Sequence, residues 1–448
     1  MSVKKAAQEA IRTVVSITRY TQPRESVRRA VELCGGLDHL PANARVFIKP
    51  NIAFWSRQVE FPKYGVITTS RVVEDVVELL AAHGVGDITL GEGIVTWDRK
   101  DRLTPADAFE RLGYGKLKKR YGVKVLNVFE RPFESVDLGG GVELNFSADF
   151  LASDFVVDLP VLKTHAQTRV SLGIKNLKGL IDIPSRKKCH SPDPERDLHY
   201  RIARLGDRLP PSLILIDGIY RLERGPAVEG WARRSDLLVA SPDLLSADLV
   251  GARLLGHDPS QVPHLVHAGR NRGRPLDLSD LEVRGECLAS AAAHHEHSFA
   301  YTPDELLPAP LAKKGVRGLR YRKYDSTMCT YCAVLNGLVL QELLRAWQGG
   351  PWDGLEILTG KAMRPTAGMR KTVLLGNCMS RLHRDHPDIQ EAIPVWGCPP
   401  KPEAVIAAFH RAGIPVDGAA LRDHERSSAP FLKRYAGRPE FDEGFYRI

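Results

Sequence analysis

The most constraining feature of this sequence is a regular alternation of short apolar runs with longer amphipathic stretches between residues 40 and 255. The apolar runs are rich in branched residues and do not strictly alternate with polar ones, which is typical of buried strands in a parallel sheet. They cover residues 45–49, 87–90, 124–128, 155–159, 213–216 and 236–240. Because helical segments separate these runs, the sequence predicts an α/β fold with a mainly parallel sheet and helices on both faces.

Two of the helical segments have clear boundaries. Residues 69–83 place valines and leucines at helical spacing and end before Gly84, and residues 242–255 end before Gly256. Glycine often ends a helix because it adopts the left-handed conformation without strain. Ser241 is the predicted N-cap of the second helix.

The length of 448 residues predicts two or three domains. We expect an α/β domain at 1–256, a connecting region at 257–325 and a C-terminal segment at 326–448. The connecting region loses the alternation and contains a basic run of Lys313, Lys314, Arg317, Arg320, Arg322 and Lys323. The C-terminal segment predicts helices over 333–347 and 402–412 and strands over 356–358, 371–375 and 393–395, which together form a smaller α/β unit.

Composition restricts the class of protein further. Apolar residues make up 43% and charged residues 26% of the chain, and no apolar run approaches the length of a membrane span. The first 20 residues lack the apolar core of a secretory signal, so we predict a cytoplasmic location and no membrane partner. The net charge of +9 is compatible with nucleic acid or with an anionic small molecule. Since no nucleic-acid-binding motif accompanies it, we favour the small molecule, and a solvated linker for the basic run.

Polar side chains follow several of the predicted strands. Ligands in open parallel sheets bind beyond the carboxyl ends of the strands, and these ends carry Lys49, Asn51, Glu92, Lys163, His165 and Asp217. We predict an anion-binding crevice there, with Lys49, Asn51, Lys163, Lys175 and Asn176 holding the substrate. Glu92, His165 and Asp217 are the candidate catalytic groups for proton transfer. Taken singly, each of these residues is also explained as a loop residue that caps a helix or pairs with a neighbour.

The cysteines give a sharper signal. Of the seven in the chain, Cys329, Cys332, Cys378 and Cys398 fall in the last 120 residues. The first two form a CxxC pair before a predicted helix, and the other two each follow a predicted strand. Helix N-termini and strand C-termini share one edge of a small α/β layer, so we expect all four sulfurs to meet at one point. Helix N-terminal N–H groups there lower the pKa of thiols.

Two metals suit such a set of thiolates. A structural zinc site usually shows two tight CxxC pairs, whereas only one tight pair is present here. Scattered spacing is compatible with a [4Fe–4S] cluster, which we therefore favour over zinc. Cys34, Cys189 and Cys287 do not share this spacing and are expected to be unliganded thiols. The sequence contains neither a P-loop nor an HExxH motif.

Five stretches of the chain resemble the domain-of-unknown-function 362 family. They are FIKPNIA, GVITTSRVVEDVVELL, LGEG, DLPVLKTHAQTRVSLGIKNLKGL and LILIDGIYRLERGPAVEG, and they lie within about residues 40–255. The resemblance implies an α/β protein that binds iron–sulfur clusters, often through a ferredoxin-like insert or tail. This chain departs from that pattern because it lacks a CxxCxxCxxxCP run, which implies one cluster rather than a ferredoxin pair. The resemblance leaves the reaction open.

Three hypotheses of function follow. The first is an iron–sulfur oxidoreductase or lyase that acts on an anionic small molecule in the crevice. The second is a non-catalytic electron-transfer or assembly partner of a redox complex, and the third is a zinc-stabilised nucleic-acid-binding protein. The enzyme hypothesis requires the cysteines to lie near the crevice, with residues 313–323 as the strap that brings them there.

Overall fold

The computed structural model describes residues 12–52 and 54–448. Its strands are β1 (Thr13–Arg19), β2 (Arg45–Pro50), β3 (Asp87–Glu92), β4 (Lys124–Asn127), β5 (Phe133–Asp137), β6 (Glu143–Ser147), β7 (Phe155–Leu159), β8 (Val161–His165), β9 (Arg169–Ser171), β10 (Ser212–Glu223), β11 (Trp231–Ser241), β12 (Leu281–Gly285), β13 (Leu319–Tyr321), β14 (Leu355–Leu358), β15 (Lys371–Leu375) and β16 (Ala392–Val395).

Its α-helices are α1 (Glu25–Cys34), α2 (Ser70–Ala82), α3 (Leu103–Arg111), α4 (Tyr114–Tyr121), α5 (Ala148–Leu151), α6 (Gly173–Asn176), α7 (Ile183–Cys189), α8 (Leu198–Ile202), α9 (Leu244–Leu254), α10 (Pro263–Arg272), α11 (Leu288–Ala291), α12 (Ala309–Lys313), α13 (Thr330–Ala346), α14 (Gly376–His383), α15 (Pro402–Ala412) and α16 (Ala419–Arg422). Short 3-10 helices lie at Val128–Glu130, Leu177–Leu180, Pro259–Gln261, Arg426–Arg434 and Glu443–Tyr446.

The larger sheet confirms the predicted mainly parallel α/β fold. Its strand order is β12-β1-β11-β10-β7-β2-β3-β4, and β8 and β9 extend it beyond β10. The strands β4, β3, β2, β7 and β10 run parallel, while β11 is antiparallel to β1 and β10. Successive residues of a strand point to opposite faces, so Ile48 packs into one hydrophobic core and Phe47 into the other. The helices α1 and α2 cover the first face, and α9 and α10 cover the second.

The smaller sheet has the order β13-β14-β15-β16, and all of its pairs are parallel. Its carboxyl edge therefore gathers the loops that follow each strand. The predicted strand 371–375 and helix 402–412 coincide with β15 and α15. The last residues of the chain leave this unit, because Tyr435, Phe441 and Tyr446 pack into the core of the larger sheet.

One strand end predicted from the sequence is wrong, and one segment expected to follow a strand as a loop is itself a strand, although the predicted strand 155–159 coincides with β7. The predicted strand 213–216 continues as β10 through Glu223, so Asp217 lies inside a strand. The pairing with β11 shifts between Gly218 and Tyr220, so the Asp-Gly dipeptide marks an irregularity rather than an end. Likewise, the strand 155–159 is followed after Pro160 by β8, which contains Lys163 and His165. The predicted N-cap is also wrong, since Asp243 rather than Ser241 caps α9 by accepting from the Ser246 N–H.

The region between 257 and 325 divides between the two sheets. β12 pairs with β1 of the larger sheet, and β13 is the edge strand of the smaller one. The basic run therefore contributes the end of α12 and the strand β13, where Leu319 and Tyr321 are buried. The expectation that residues 313–323 form a separate strap is wrong for this reason, whereas the three-part domain division stays a prediction. Among the described residues, no helix has the length and apolarity to cross a membrane.

Candidate functional site

The four cysteines of the C-terminal segment line one cavity of about 130 Å³, which we call the cysteine cavity. Cys329 immediately precedes α13 and Cys332 lies in its first turn, while Cys378 is the third residue of α14. Cys398 lies in the loop after β16. The cavity thus stands at the carboxyl edge of the smaller sheet, where the sequence predicted that the four sulfurs meet.

Backbone hydrogen bonds hold two of the cysteine loops together. The N–H of Asn377 donates to the carbonyl oxygen of Gly397 at 3.0 Å, and the N–H of Gly397 donates to the Asn377 Oδ1 at 2.7 Å. Gly397 has a φ of 136°, and a Cβ at this position would lie 2.5 Å from the Cα of Pro400. Only glycine is compatible with this turn, which brings Cys398 beside Cys378.

The CxxC pair favours a thiolate. The pKa of the Cys329 thiol falls to about 5, first because the Cys332 thiol hydrogen-bonds to it, and also because of backbone N–H groups at the start of α13 and the charge of Lys187. The pKa of the Cys332 thiol is raised because this thiol donates the hydrogen bond to Cys329 and is buried beside its negative charge. Since thiolates rather than thiols bind metals, the pair is prepared as a metal ligand. Cys329 is buried, whereas Cys378 and Cys398 are exposed.

A lysine from the larger domain completes the cavity. Lys187, in α7, places its Nζ 2.9 Å from the Cys398 Sγ and 5.3 Å from the centre of the Tyr331 ring. The Lys361 Nζ, from the loop after β14, donates to the carbonyl oxygens of Lys187 and His190. The sequence analysis did not identify Lys187 or Lys361, because nothing in the sequence indicates that α7 reaches the smaller sheet.

Two further contacts join the segment 165–190 to the first cysteine pair. The Gln167 Nε2 donates to the carbonyl oxygens of Asp325 and Met328, at 2.7 and 2.9 Å. The His190 Nδ1 lies 2.7 Å from the carbonyl oxygen of Ser326, so this nitrogen carries the proton and Nε2 accepts from the Lys178 Nζ at 2.6 Å. The segment that carries His165 and Lys175 thus also contacts the loop before the first cysteine pair.

Lys49 and Glu92 form a closed ion pair. The Lys49 Nζ lies 2.7 Å from the Glu92 Oε2 and also donates to the Pro50 carbonyl oxygen and, at 3.3 Å, to the Asn176 Oδ1. The Glu92 oxygens accept the backbone N–H groups of Gly93 and Ile52. Both charged side chains are buried and fully hydrogen-bonded, so this pair organises the edge of the sheet without leaving a group free for a ligand.

Lys163 is surrounded by neutral oxygens. Its Nζ donates to the Asn51 Oδ1 at 2.5 Å and to the carbonyl oxygens of Val66 and Pro226 at 2.9 and 3.3 Å. Burial is the main reason that its pKa falls to about 7. The nearby charge of Glu92 acts in the opposite sense, but that carboxylate is already paired with Lys49.

Asp217 stands apart from the other predicted catalytic groups. Its Oδ2 accepts the N–H of Thr69 at 2.7 Å and its Oδ1 accepts that of Ile219 at 3.0 Å. Thr69 is the N-cap of α2, so Asp217 anchors the start of this helix. The structure does not bring this carboxylate to the lysines, because the chain continues as β10 beyond it.

The remaining cations of the segment have no carboxylate partner within the described part of the chain. Lys178 contacts His190, Lys175 contacts His165, and Arg186 donates to the carbonyl oxygens of Gly93, Gly179 and Ile181. Together with Lys163 and Lys187 they form what we call the cationic wall. Burial and mutual repulsion lower the pKa of Lys175 well below its usual range and that of Lys178 to about 8. Leaving such charges unpaired in a protein interior is costly.

The fold defines the class of this protein as an α/β chain with a mainly parallel sheet. Residues 46–253 match the family model described as Domain of unknown function (DUF362). This match confirms the resemblance seen in the sequence over that region.

Two individual proteins are also similar to the chain. A thylakoid-associated protein from Synechocystis sp. is 27% identical over 245 residues, which cover 54% of this chain and 72% of that protein. The lactate racemase apoprotein from Thermoanaerobacterium thermosaccharolyticum aligns with 15% identity and a TM-score of 0.34. That alignment covers 56% of this chain and 58% of the racemase, less than two thirds of its length, and a similarity at this TM-score supports no argument.

Proposed function

We propose that the chain binds one [4Fe–4S] cluster through Cys329, Cys332, Cys378 and Cys398 and is an enzyme acting on an anionic small molecule. The observation that carries this proposal is the convergence of the four cysteines on one cavity beside the cationic wall. A bound cluster would supply one-electron transfer or a Lewis-acidic iron.

The arrangement of the sulfurs favours a cluster over zinc. Four thiolates around a single zinc ion stand about 3.8 Å apart, as follows from a Zn–S distance of about 2.3 Å and tetrahedral geometry. The four cysteines line a cavity of about 130 Å³, and a cluster of several metal atoms would fill such a volume better than a single ion.

The charges around the cavity support the same assignment. Four thiolates carry more negative charge than the iron–sulfur core offsets, so a loaded site is anionic. Lys187 contacts Cys398 directly, and the charge of Cys329 acts on Lys178. The cationic wall therefore lowers the cost of burying an anionic group at the inner side of the cavity.

The small-molecule part of the proposal depends on the same wall. An anionic group of the substrate would offset the repulsion among Lys163, Lys175 and Lys178. Of the predicted catalytic groups, His165 is the one in contact with this wall, since it lies 3.4 Å from the Lys175 Nζ. We assign proton transfer to His165, while Glu92 and Asp217 serve the structure. An oxidoreductase or a lyase is compatible with this arrangement.

Metal analysis of anaerobically purified protein tests the cofactor. We expect about four iron and four sulfide per chain, with loss of iron in the Cys329→Ser and Cys378→Ser variants. Cys34→Ser and Cys287→Ser are the matched controls and retain it, because both residues lie outside the cavity. Zinc without iron or sulfide in the anaerobic protein would contradict the proposal and favour the zinc alternative.

Electron transfer without catalysis is a second candidate function. The exposure of Cys378 and Cys398 favours it, since an electron carrier needs its cofactor near the surface. Leu382 and Trp396 lie close to these cysteines in the sequence and are 48% and 44% exposed. Reduction of the cluster by a carrier protein, together with the absence of any small-molecule ligand for the cationic wall, would favour this candidate.

A further inference from the structure

Among residues 12–52 and 54–448, Lys175 differs from the other amino groups of the cationic wall in having no hydrogen-bond acceptor. Lys163 donates to three oxygens and Lys178 donates to the His190 Nε2. The polar contact of the Lys175 Nζ is the His165 Nε2, at 3.4 Å. Lys175 as a whole residue is only partly buried, whereas Lys163 and Lys178 are buried.

The hydrogen bonding of His165 determines which partner donates in that contact. The backbone N–H of Gln167 donates to the His165 Nδ1 at 3.1 Å. A neutral imidazole that accepts at Nδ1 carries its proton on Nε2, and burial together with the nearby lysines keeps this ring neutral by lowering its pKa. The His165 Nε2–H therefore points to the Lys175 Nζ, and only an unprotonated amine can accept from it.

The charged groups that face Lys175 also favour its unprotonated form. Lys163 from β8, Lys178 from the 3-10 helix and Arg186 from α7 repel a proton on its amine. Cys189, from the end of α7, is the one group with the opposite effect, and it is weaker than burial and the three cations. His165, His199 and His264 complete the surroundings and are held neutral by burial. A lysine beside other cations is a recognised form of activated nucleophile.

We infer that Lys175 is an unprotonated amine in the resting protein and forms an imine with an anionic carbonyl compound of the 2-oxo acid class. This inference rests on the proposed function, because it names the substrate class of the same site. In the step, the Lys175 nitrogen attacks the carbonyl carbon and a C–N bond forms. The carbonyl oxygen then leaves with the two amine protons as water, so no oxidant or reductant is needed. The carboxylate of the substrate is attracted by the neighbouring cations of the wall.

Reductive trapping tests the inference directly. The anaerobic protein is incubated with glyoxylate or pyruvate at pH 7.5, reduced with cyanoborohydride and mapped by peptide mass spectrometry. We expect one adduct per chain, on Lys175, with an initial rate at least tenfold higher than at the exposed Lys188 of α7. Lys175→Arg should abolish this adduct, and the matched Lys188→Arg variant should keep it. An uncharged carbonyl probe, acetone, should label Lys175 at least tenfold more slowly than pyruvate.

The outcomes separate this inference from the proposed cofactor. Adducts spread over surface lysines, or an unlabelled Lys175 in the wild-type protein, would overturn the inference without the need for a variant. The Cys329→Ser/Cys332→Ser double variant should still be labelled at Lys175, because the amine does not depend on the cluster. If the wild-type protein is labelled at Lys175 but contains no iron after anaerobic purification, the result contradicts the cofactor proposal alone. Four bound iron and an unlabelled Lys175 contradict the inference alone.

Discussion

Lys49 and Lys175 lie at the same edge of the larger sheet but in opposite electrostatic situations. Lys49 is buried against Glu92, and every polar atom of this pair has a partner. Lys175 faces Lys163, Lys178 and Arg186, and its nearest polar neighbour is a histidine. This difference shows that the burial of a charged side chain does not by itself identify a ligand-binding site. A cluster of cations without counter-charges among the described residues is the better candidate for binding an anion.

Removing one partner of the closed pair should have the largest effect on stability. We expect Glu92→Gln to lower the free energy of unfolding by about 3–5 kcal/mol, because it leaves the buried Lys49 without a counter-charge. Lys175→Met should leave the stability unchanged or raise it, since it replaces a buried polar amine, which has no counter-charge, by an apolar side chain. Urea unfolding of both variants measures the contrast. Equal losses for the two substitutions would show that both lysines serve the structure.

The cationic wall should make stability depend on pH. The pKa values of Lys163 and Lys178 fall to about 7 and about 8 in the folded protein, against about 10.4 in an unfolded chain. Between pH 7.5 and 9.5 the unfolded chain therefore binds more protons, and the free energy of unfolding should rise by about 1–3 kcal/mol. Urea titrations of iron-free protein check this rise, and Lys178→Met should flatten it. A decrease over the same interval would contradict the assignment of unpaired lysines.

The close packing around the Lys49–Glu92 pair gives a third test. A Cβ at Gly179 would lie 2.4 Å from both the Lys49 Cε and the Glu92 Oε1. Because these side chains are locked by their hydrogen bonds, we expect Gly179→Ala to cost about 1–3 kcal/mol of stability. Gly86→Ala is the matched control, since a Cβ there has no neighbour within 4 Å. Thermal denaturation of the two variants should separate them, and similar midpoints would mean that the pair can shift.

The smallest effect is expected for substitutions of Lys187, the member of the cationic wall that contacts the cysteine cavity. Removing its charge beside Cys398 disfavours the more negative, reduced state of a bound cluster. Lys187→Met should therefore lower the midpoint potential by about 30–60 mV, equivalent to about 1 kcal/mol. Lys187→Arg should restore most of the shift, and Lys188→Met should cause none. Potentiometric titration followed by EPR makes the measurement, and identical potentials in all three variants would exclude an electrostatic role for Lys187.

Local periodicity was sufficient to predict much of the fold. The strand β15 and the helix α15 have the predicted ends because their apolar spacing and flanking residues are local signals. The meeting of the four cysteines could also be predicted, since parallel strands deliver their following loops to one edge. The Asp-Gly dipeptide at Asp217 misled the prediction because the same two residues fit a turn and a strand irregularity equally well.

The sequence alone was sufficient to predict the α/β alternation, the family resemblance and the side chains near the strand ends. Which of the charged side chains among them are neutralised depends on the tertiary structure. Glu92 is 43 residues from Lys49, and Lys187 is 211 residues from Cys398. No local pattern encodes either pairing, because a salt bridge or a lysine–thiolate contact depends on distances between elements that the chain brings together only when it folds. The same residue types therefore form a closed ion pair at Lys49 and a group of neighbouring cations around Lys175.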